Sequence, residues 1–126
     1  MTVNQILIYA ASVCILYLMI KRVIQRARMK EYSPKQVAEM LHDDSVVLLD
    51  VRSREERNHQ HIKGSLHIPV HEIAQSVKSL EQYRGKEIIC YCHSGSRSLT
   101  AASILIKHGF AAANMKGGMV AWNSLH

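Results

Sequence analysis

The first twenty residues, MTVNQILIYAASVCILYLMI, carry no charged side chain. That gap constrains the fold of this 126-residue chain more than its average composition does. Five Lys or Arg and no acid follow in KRVIQRARMK, residues 21–30. Residues 31–126 are nearly neutral, with eleven Lys or Arg against ten Asp or Glu. The basic isoelectric point therefore belongs to one short segment beside an apolar run. It is no argument for nucleic acid as a partner, and its position points to a lipid surface.

The run ILIYAASVCILYLMI (Ile6–Ile20) is interrupted in polarity only by Ser12 and the two tyrosines Tyr9 and Tyr17. With Thr2–Gln5 it spans roughly 28 Å as a helix at about 1.5 Å per residue, near the lower limit for crossing a bilayer. A cleavable signal peptide wants a basic start and a small-residue cleavage site, whereas this start is neutral and arginines follow. A buried core helix would show a polar face, and this run is apolar all round. A single transmembrane helix fits, over residues 1–20 (about 3–20), followed by a basic juxtamembrane linker at 21–31 and a domain at 32–126. Positive charge on its C-terminal side places the remainder of the chain in the cytoplasm.

Length limits that remainder to one domain. Ser33 and Pro34 have the form of a helix N-cap and first helical residue. The helix should run through KQVAEMLH, burying Val37, Met40 and Leu41, until Asp43-Asp44 breaks it. VVLLDV (46–51) is a continuous apolar run of strand length. SREERNHQH is a short helix or loop, and LHIPV (66–70) a second strand, ended by Pro69. Residues 71–84 place Ile73, Val77 and Leu80 at helical spacing before Gly85. EIICY (87–91) is a third strand. RSLTAASILIKHG should form a helix burying Leu99, Ala102, Leu105 and Ile106, with Gly109 as its C-terminal cap and Phe110 folded back on it. AAANM is a last strand, Gly117-Gly118 a turn, and MVAWNSL a terminal helical turn. Strands alternating with helices predict an α/β domain with a mainly parallel sheet.

The cysteines are Cys14, Cys90 and Cys92. Cys14 falls in the apolar run, where a small thiol needs no functional explanation. Cys90 and Cys92 are too close in sequence for an unstrained disulfide, and a cytoplasmic domain would hold both reduced. Cys92 follows a strand and precedes a helix, the position at which parallel α/β sheets hold ligands. In the intervening CHSGSR, Gly95 admits backbone conformations that other residues avoid. The backbone N–H groups can then turn inward as an anion nest at the positive end of the helix. With Arg97 nearby, a sulfur at the centre is favoured as thiolate, the nucleophilic form. Cys90 lies too early to sit in that nest and is expected to pack in the central strand.

Four segments resemble the single-domain rhodanese (sulfurtransferase) family. LLDVRSREE (48–56) is similar to its Asp-Val-Arg segment, and HIKGSLHIP (61–69) to its Gly-His-Ile-Pro-Gly-Ala-x-x-Ile-Pro segment. CHSGSRS (92–98) is similar to its Cys-x-x-Gly-x-Arg-Ser loop, and GFAAANMKGGMVAW (109–122) to its Gly-Phe…Gly-Gly-x-x-Ala-Trp signature. Order and spacing across about 95 residues make the set far more specific than any one motif. Gln60 departs from the pattern where a glycine usually stands, and Lys63 where a proline is common.

The resemblance implies a rhodanese-like three-layer α/β/α domain with a mainly parallel sheet, preceded by the one transmembrane helix. It implies a Cys92 thiolate that takes the outer sulfur of a thiosulfate-like donor as a persulfide and passes it to cyanide or a thiol. The N–H groups of residues 93–97 (His93, Ser94, Gly95, Ser96, Arg97) would hold that anion. Arg97 either attracts the donor or fixes the loop, and Ser98 opens the helix behind it. His93 either sets donor preference or is a solvated side chain. Asp50 hydrogen-bonds near the site or supports Arg52, and a structural ion pair is the favoured role. No cofactor is implied. His59, His61, His67 and His71 lack a completing acid or cysteine, so no metal site is expected. Trp122 is expected to anchor the terminal turn in the core.

Two other classes stand beside the enzyme. One is a membrane-tethered binding module of the same fold, which often lacks the cysteine. The other is a phosphatase or arsenate reductase, whose related loop is one residue longer; the six residues from Cys92 to Arg97 suit a single sulfur better than a tetrahedral phosphate.

Overall fold

The computed structural model describes residues 1–27 and 29–125. Arg28, inside the expected linker, and His126, at the expected domain end, lie outside the described residues.

The apolar N-terminus is one helix, α1 (Val3–Ala27). Thr2 and Gln5 form its start reciprocally: the Gln5 N–H donates to Thr2 Oγ1 at 3.3 Å, and the Thr2 N–H to Gln5 Oε1 at 3.0 Å, satisfying donors that a helix start leaves unpaired. Nothing in the described remainder covers its side chains, so Ile6, Leu7, Leu16 and Ile20 are all exposed. Val3–Ile24 is long and apolar enough to cross a membrane. The helix does not yield at Lys21 but continues to Ala27, since Lys, Arg, Gln and Ala are good helix formers and cations suit a helix C-terminus.

A five-stranded parallel sheet follows, ordered β1-β5-β4-β2-β3. Its strands are β1 (Glu31–Tyr32), β2 (Val46–Asp50), β3 (Leu66–His67), β4 (Glu87–Tyr91) and β5 (Ala112–Met115). The helices are α2 (Pro34–Met40), α3 (Arg54–His59), α4 (Ser96–Lys107) and α5 (Gly118–Asn123). Leu49, Val51, Ile88, Cys90, Cys92 and Ala112 build one core cluster with Ala101, Ala102 and Leu105 of α4. Leu48, Ile89, Tyr91 and Met115 build the other with Val37 of α2 and Met119 of α5, and Trp122 packs against it. Strand alternation assigns the two sets to opposite faces, which makes the three layers.

Ser33 caps α2 through the expected position and adds a reciprocal bond from its own N–H to Gln36 Oε1 at 2.8 Å. Several expectations are corrected. α2 ends at Met40, and Leu41 is 36% exposed at its C-cap, because the chain turns there into an Asp43-capped bend in which Ser45 N–H donates to Asp43 Oδ1. The second strand is only Leu66–His67, since Pro69 starts the next turn. Residues 71–84 are not one α-helix but two 3₁₀ segments, Val70–Gln75 and Val77–Tyr83. Val70 and Ile73, then Val77, Leu80 and Tyr83, recur every three residues, the spacing that aligns side chains on a 3₁₀ face. β1 had no sequence signal at two residues; its pairing with β5 creates it. Ile106 is 46% exposed, and the buried stripe of α4 is Ser98, Ala101, Ala102 and Leu105. That is an ordinary i, i+3, i+4, i+7 face turned so that a serine points inward.

The chain enters the sheet at Glu31, which pairs with Asn114 in the second half of β5 and so lies level with Cys90 of β4. There the Lys30 carbonyl accepts the Asn114 N–H at 3.0 Å, and the Lys30 ammonium lies 3.8 Å from Glu87.

Candidate active site

Cys92 follows β4 at the C-terminal end of that strand, and the backbone curls at once into α4. Gly95, at φ +109°, is the N-cap of α4; this left-handed conformation costs a residue with a Cβ and costs glycine nothing. The turn aims the Gly95 N–H at Cys92 Sγ, 3.0 Å away. Ser98 Oγ lies 3.3 Å from the same sulfur, in a contact where either atom can donate. Burial pushes the thiol up, but hydrogen bonding at Ser98 and the backbone N–H groups of Ser98, Gly95 and Ser94 more than offset it. The Cys92 thiol therefore sits below its ordinary value. Of the N–H groups of residues 93–97 expected around the anion, that of Gly95 hydrogen-bonds the sulfur, and those of Ser94 and of Ser98 beyond them add to the lowering of the thiol. His93 and Ser96 have exposed side chains.

Arg97 does not face open solvent as a free cation. Its guanidinium makes two parallel hydrogen bonds to Glu56 of α3, at 2.7 and 2.9 Å, the fork geometry of a strong charge-assisted pair. Glu56 is in turn held by the Ser53 capping box. The hydrogen bonds from Arg97 outweigh the opposing effect of burial, and the Glu56 carboxyl is lowered to about 2.

The loop is braced from outside by the Gly117-Gly118 turn. Met119 N–H donates to the Cys92 carbonyl at 2.8 Å and Val120 N–H to the His93 carbonyl at 3.1 Å. A Cβ on Gly118 would lie 2.6 Å from the His93 oxygen, so only glycine allows this approach.

Asp50 and Arg52 lie on the other face of the sheet. Asp50 is fully buried, accepting from Arg52 Nε and Nη2 at 3.0 and 2.9 Å and from the Tyr91 hydroxyl at 3.0 Å. Burial pushes its carboxyl up, but Arg52 and Tyr91 bring it below the ordinary value. Arg57 adds a contact of 3.4 Å. Arg52 also reaches the Gln60 carbonyl at 2.5 Å, tying the loop after α3 to the strand. Gln60 itself is extended (φ −162°) and exchanges side-chain hydrogen bonds with Asn123 at 3.1 and 3.0 Å. That conformation needs no glycine, so the departure from the family pattern leaves the backbone intact.

Cys90 is completely buried, and burial, with a smaller effect from Cys92, pushes its thiol up. Two of the histidines serve neighbouring backbone: His67 Nε2 lies 2.7 Å from the Arg52 carbonyl and His61 Nδ1 3.2 Å from that of Arg57. An open cleft of about 590 Å³ lies at the C-terminal end of β3, lined by Arg54, Arg57, His67 and Glu72 among others.

The sequence pattern of the rhodanese-like domain matches residues 33–125. This chain belongs to the rhodanese-like family. Among its relatives, the putative sulfurtransferase YtwF of Bacillus subtilis is 34% identical over 94 residues, covering 74% of this chain and 89% of that protein. The thiosulfate sulfurtransferase GlpE of Glaesserella parasuis is 31% identical over 94 residues, covering 73% and 84%. A crystal structure of a rhodanese-related protein from Thermoplasma volcanium superposes with a TM-score of 0.70 at 27% identity, covering 76% of this chain and 92% of that one. Relatives so named support a sulfurtransferase enzyme.

Three residues of this rhodanese site carried no role in the sequence reading. Glu56 was visible as the fourth residue of Ser53-x-x-Glu, a capping box, but its pairing with Arg97 is 41 positions long-range. Gly118 was visible as half of a turn, not as a brace. Asn114, a buried amide in a short strand, was the polar exception in AAANM that pointed to a satisfied partner.

Proposed function

We propose that this rhodanese is a membrane-anchored sulfurtransferase in which Cys92 carries the sulfur as a persulfide. The observation that carries the reading is the Gly95 N–H aimed at Cys92 Sγ from 3.0 Å in a nest at the start of α4. Such a nest favours the thiolate and then the anionic persulfide. The Cys92 thiolate attacks the outer sulfur of a thiosulfate-like donor; its S–S bond to the sulfonate breaks and sulfite leaves with the bonding pair. The acceptor, cyanide or a thiolate, attacks the terminal sulfur, and the electron pair returns to Cys92. No cofactor enters these steps, and charge is conserved in each. Arg97 holds the loop through Glu56 instead of binding the donor as a free charge.

An intact cysteine loop favours this enzyme over a binding module of the same fold. The six-residue spacing from Cys92 to Arg97 favours sulfur over the phosphate of a phosphatase or arsenate reductase. Mass spectrometry after thiosulfate treatment tests it: one added sulfur on the Cys92 peptide is expected. A folded protein that gains none from thiosulfate or mercaptopyruvate overturns it.

α1 supplies the single-pass anchor, and the basic residues after it set the catalytic domain in the cytoplasm. The domain should be digested by protease added to sealed inverted vesicles, and protection there contradicts this orientation.

A further inference from the structure

A chain of hydrogen bonds leads from the buried reactive sulfur to the exposed Glu31. Cys92 Sγ lies 3.3 Å from Ser98 Oγ. The Ser98 hydroxyl donates to Asn114 Oδ1 at 2.5 Å, and Asn114 Nδ2 donates to Glu31 Oε2 at 3.3 Å. Ser98 and Asn114 are essentially inaccessible, at 0% and 1%. Sheet register builds the row: Glu31 of β1 lies beside Asn114 of β5, which lies beside Cys90 of β4. Cys92, two residues beyond Cys90, points to the same face.

Proton counting gives this chain a direction. A carboxylate only accepts, so the Asn114 amide turns its NH₂ to Glu31 and its oxygen to Ser98. The Ser98 hydroxyl has one proton, and the amide oxygen takes it. What remains facing the sulfur is a lone pair, which accepts an S–H but offers nothing to a thiolate. Ionised Cys92 gains the Ser98 proton only if Ser98 abandons Asn114, or if the amide turns over and confronts Glu31 with its own oxygen. Among the described residues no buried side-chain nitrogen or oxygen lacks a partner, so neither change leaves the site as it was.

We propose that Glu31 is a positioning residue for the reactive sulfur: it orients the Asn114 amide, and thereby locks the Ser98 proton away from Cys92 and favours the resting thiol. Rotation of that amide releases the proton to hydrogen-bond the ionised sulfur. The backbone nest supplies the standing stabilisation of the anion, and the Ser98 hydroxyl adds its own share, which lowers the thiol, when its proton turns to the sulfur; the Asn114–Glu31 link competes for that proton. This rests on Cys92 as the reactive thiol. The other groups facing it, the Cys90 thiol on β4 and Arg97 of α4 with its partner Glu56, are untouched by the device.

The test is the pH profile of Cys92 alkylation by iodoacetamide in the full chain in detergent micelles, read on the Cys92 peptide by mass spectrometry. Glu31→Gln should alkylate faster on the acid side of the profile, by on the order of fivefold, and merge with the parent at high pH. In a Ser98→Ala background the same Glu31→Gln change should have no effect. Asn114→Ala provides a second background with the same expectation should Ser98→Ala not fold. An unmoved profile in Glu31→Gln overturns the proposal. So does an equal shift in both backgrounds, which would mark simple charge repulsion through space. The readout uses no sulfur donor, so failure of persulfide formation with this pattern intact would strike the sulfurtransferase reading alone.

Discussion

Arg97 of the cysteine loop and Glu56 of α3, 41 positions apart in sequence, are joined by two parallel hydrogen bonds of 2.7 and 2.9 Å. The pair ties the first turn of α4 to the segment after β2, so the nest is held from a second element. It also neutralises the one cation in the loop, leaving backbone N–H groups as the source of positive potential at the sulfur.

Glu56→Gln keeps the capping box and removes the charge. It should lower stability by about 0.5–1 kcal/mol at neutral pH, the range for a partly exposed pair. A carboxyl lowered from 4.5 to about 2 contributes stability that is present above the ordinary value and lost as pH falls through the lowered one. Urea denaturation of parent and variant should therefore differ above pH 4.5 and converge towards pH 2. A constant gap across that window would contradict the assignment.

Gly118→Ala places a methyl 2.6 Å from the His93 carbonyl, and the cysteine loop must move. Displacements of this order at a reacting atom reduce rates by about a hundredfold. Sulfur loading from thiosulfate should fall by that order while circular dichroism stays near that of the parent. Unchanged loading kinetics would show that the turn does not brace the loop.

Asp50→Asn leaves the buried Arg52 guanidinium without its counter-ion. Breaking one side of such a pair destabilises by about 3–5 kcal/mol, and the denaturation midpoint should fall accordingly. Because the Asp50 carboxyl is lowered, its share of stability is present above the ordinary carboxylate value and lost in acid below it. A variant as stable as the parent would refute a structural role.

Cys90 and Cys92 should part company in chemical labelling. Burial raises the Cys90 thiol and closes it off, while the nest lowers that of Cys92. Under native conditions iodoacetamide should modify Cys92 and spare Cys90; guanidinium should expose both. Equal native labelling would place Cys90 in the site.

Apolar runs announced the central strands, and Gly and Arg after Cys92 announced the nest, because each is a local matter of a few residues. Ser33 likewise declared its helix. The two-residue β1 has no such signal, since only the register against Asn114 makes it a strand. The buried stripe of α4 misled for an instructive reason. Ile106 looked like core and Ser98 only like the opening of the helix, yet Ser98 faces inward because Cys92 and Asn114 supply it with partners from other elements. The same long-range logic hid Glu56: its capping role is readable within four residues, and its grip on Arg97 is not.

The parallel sheet also sets a distance. β1 begins at Glu31, in register with Cys90 of β4, so Cys92 lies only two residues, about 7 Å at 3.3 Å per residue, beyond the level at which the chain joins the sheet. In the membrane-anchored reading, the stretch of chain between α1 and β1, and not the depth of the sheet, therefore sets how far the sulfur stands from the headgroups.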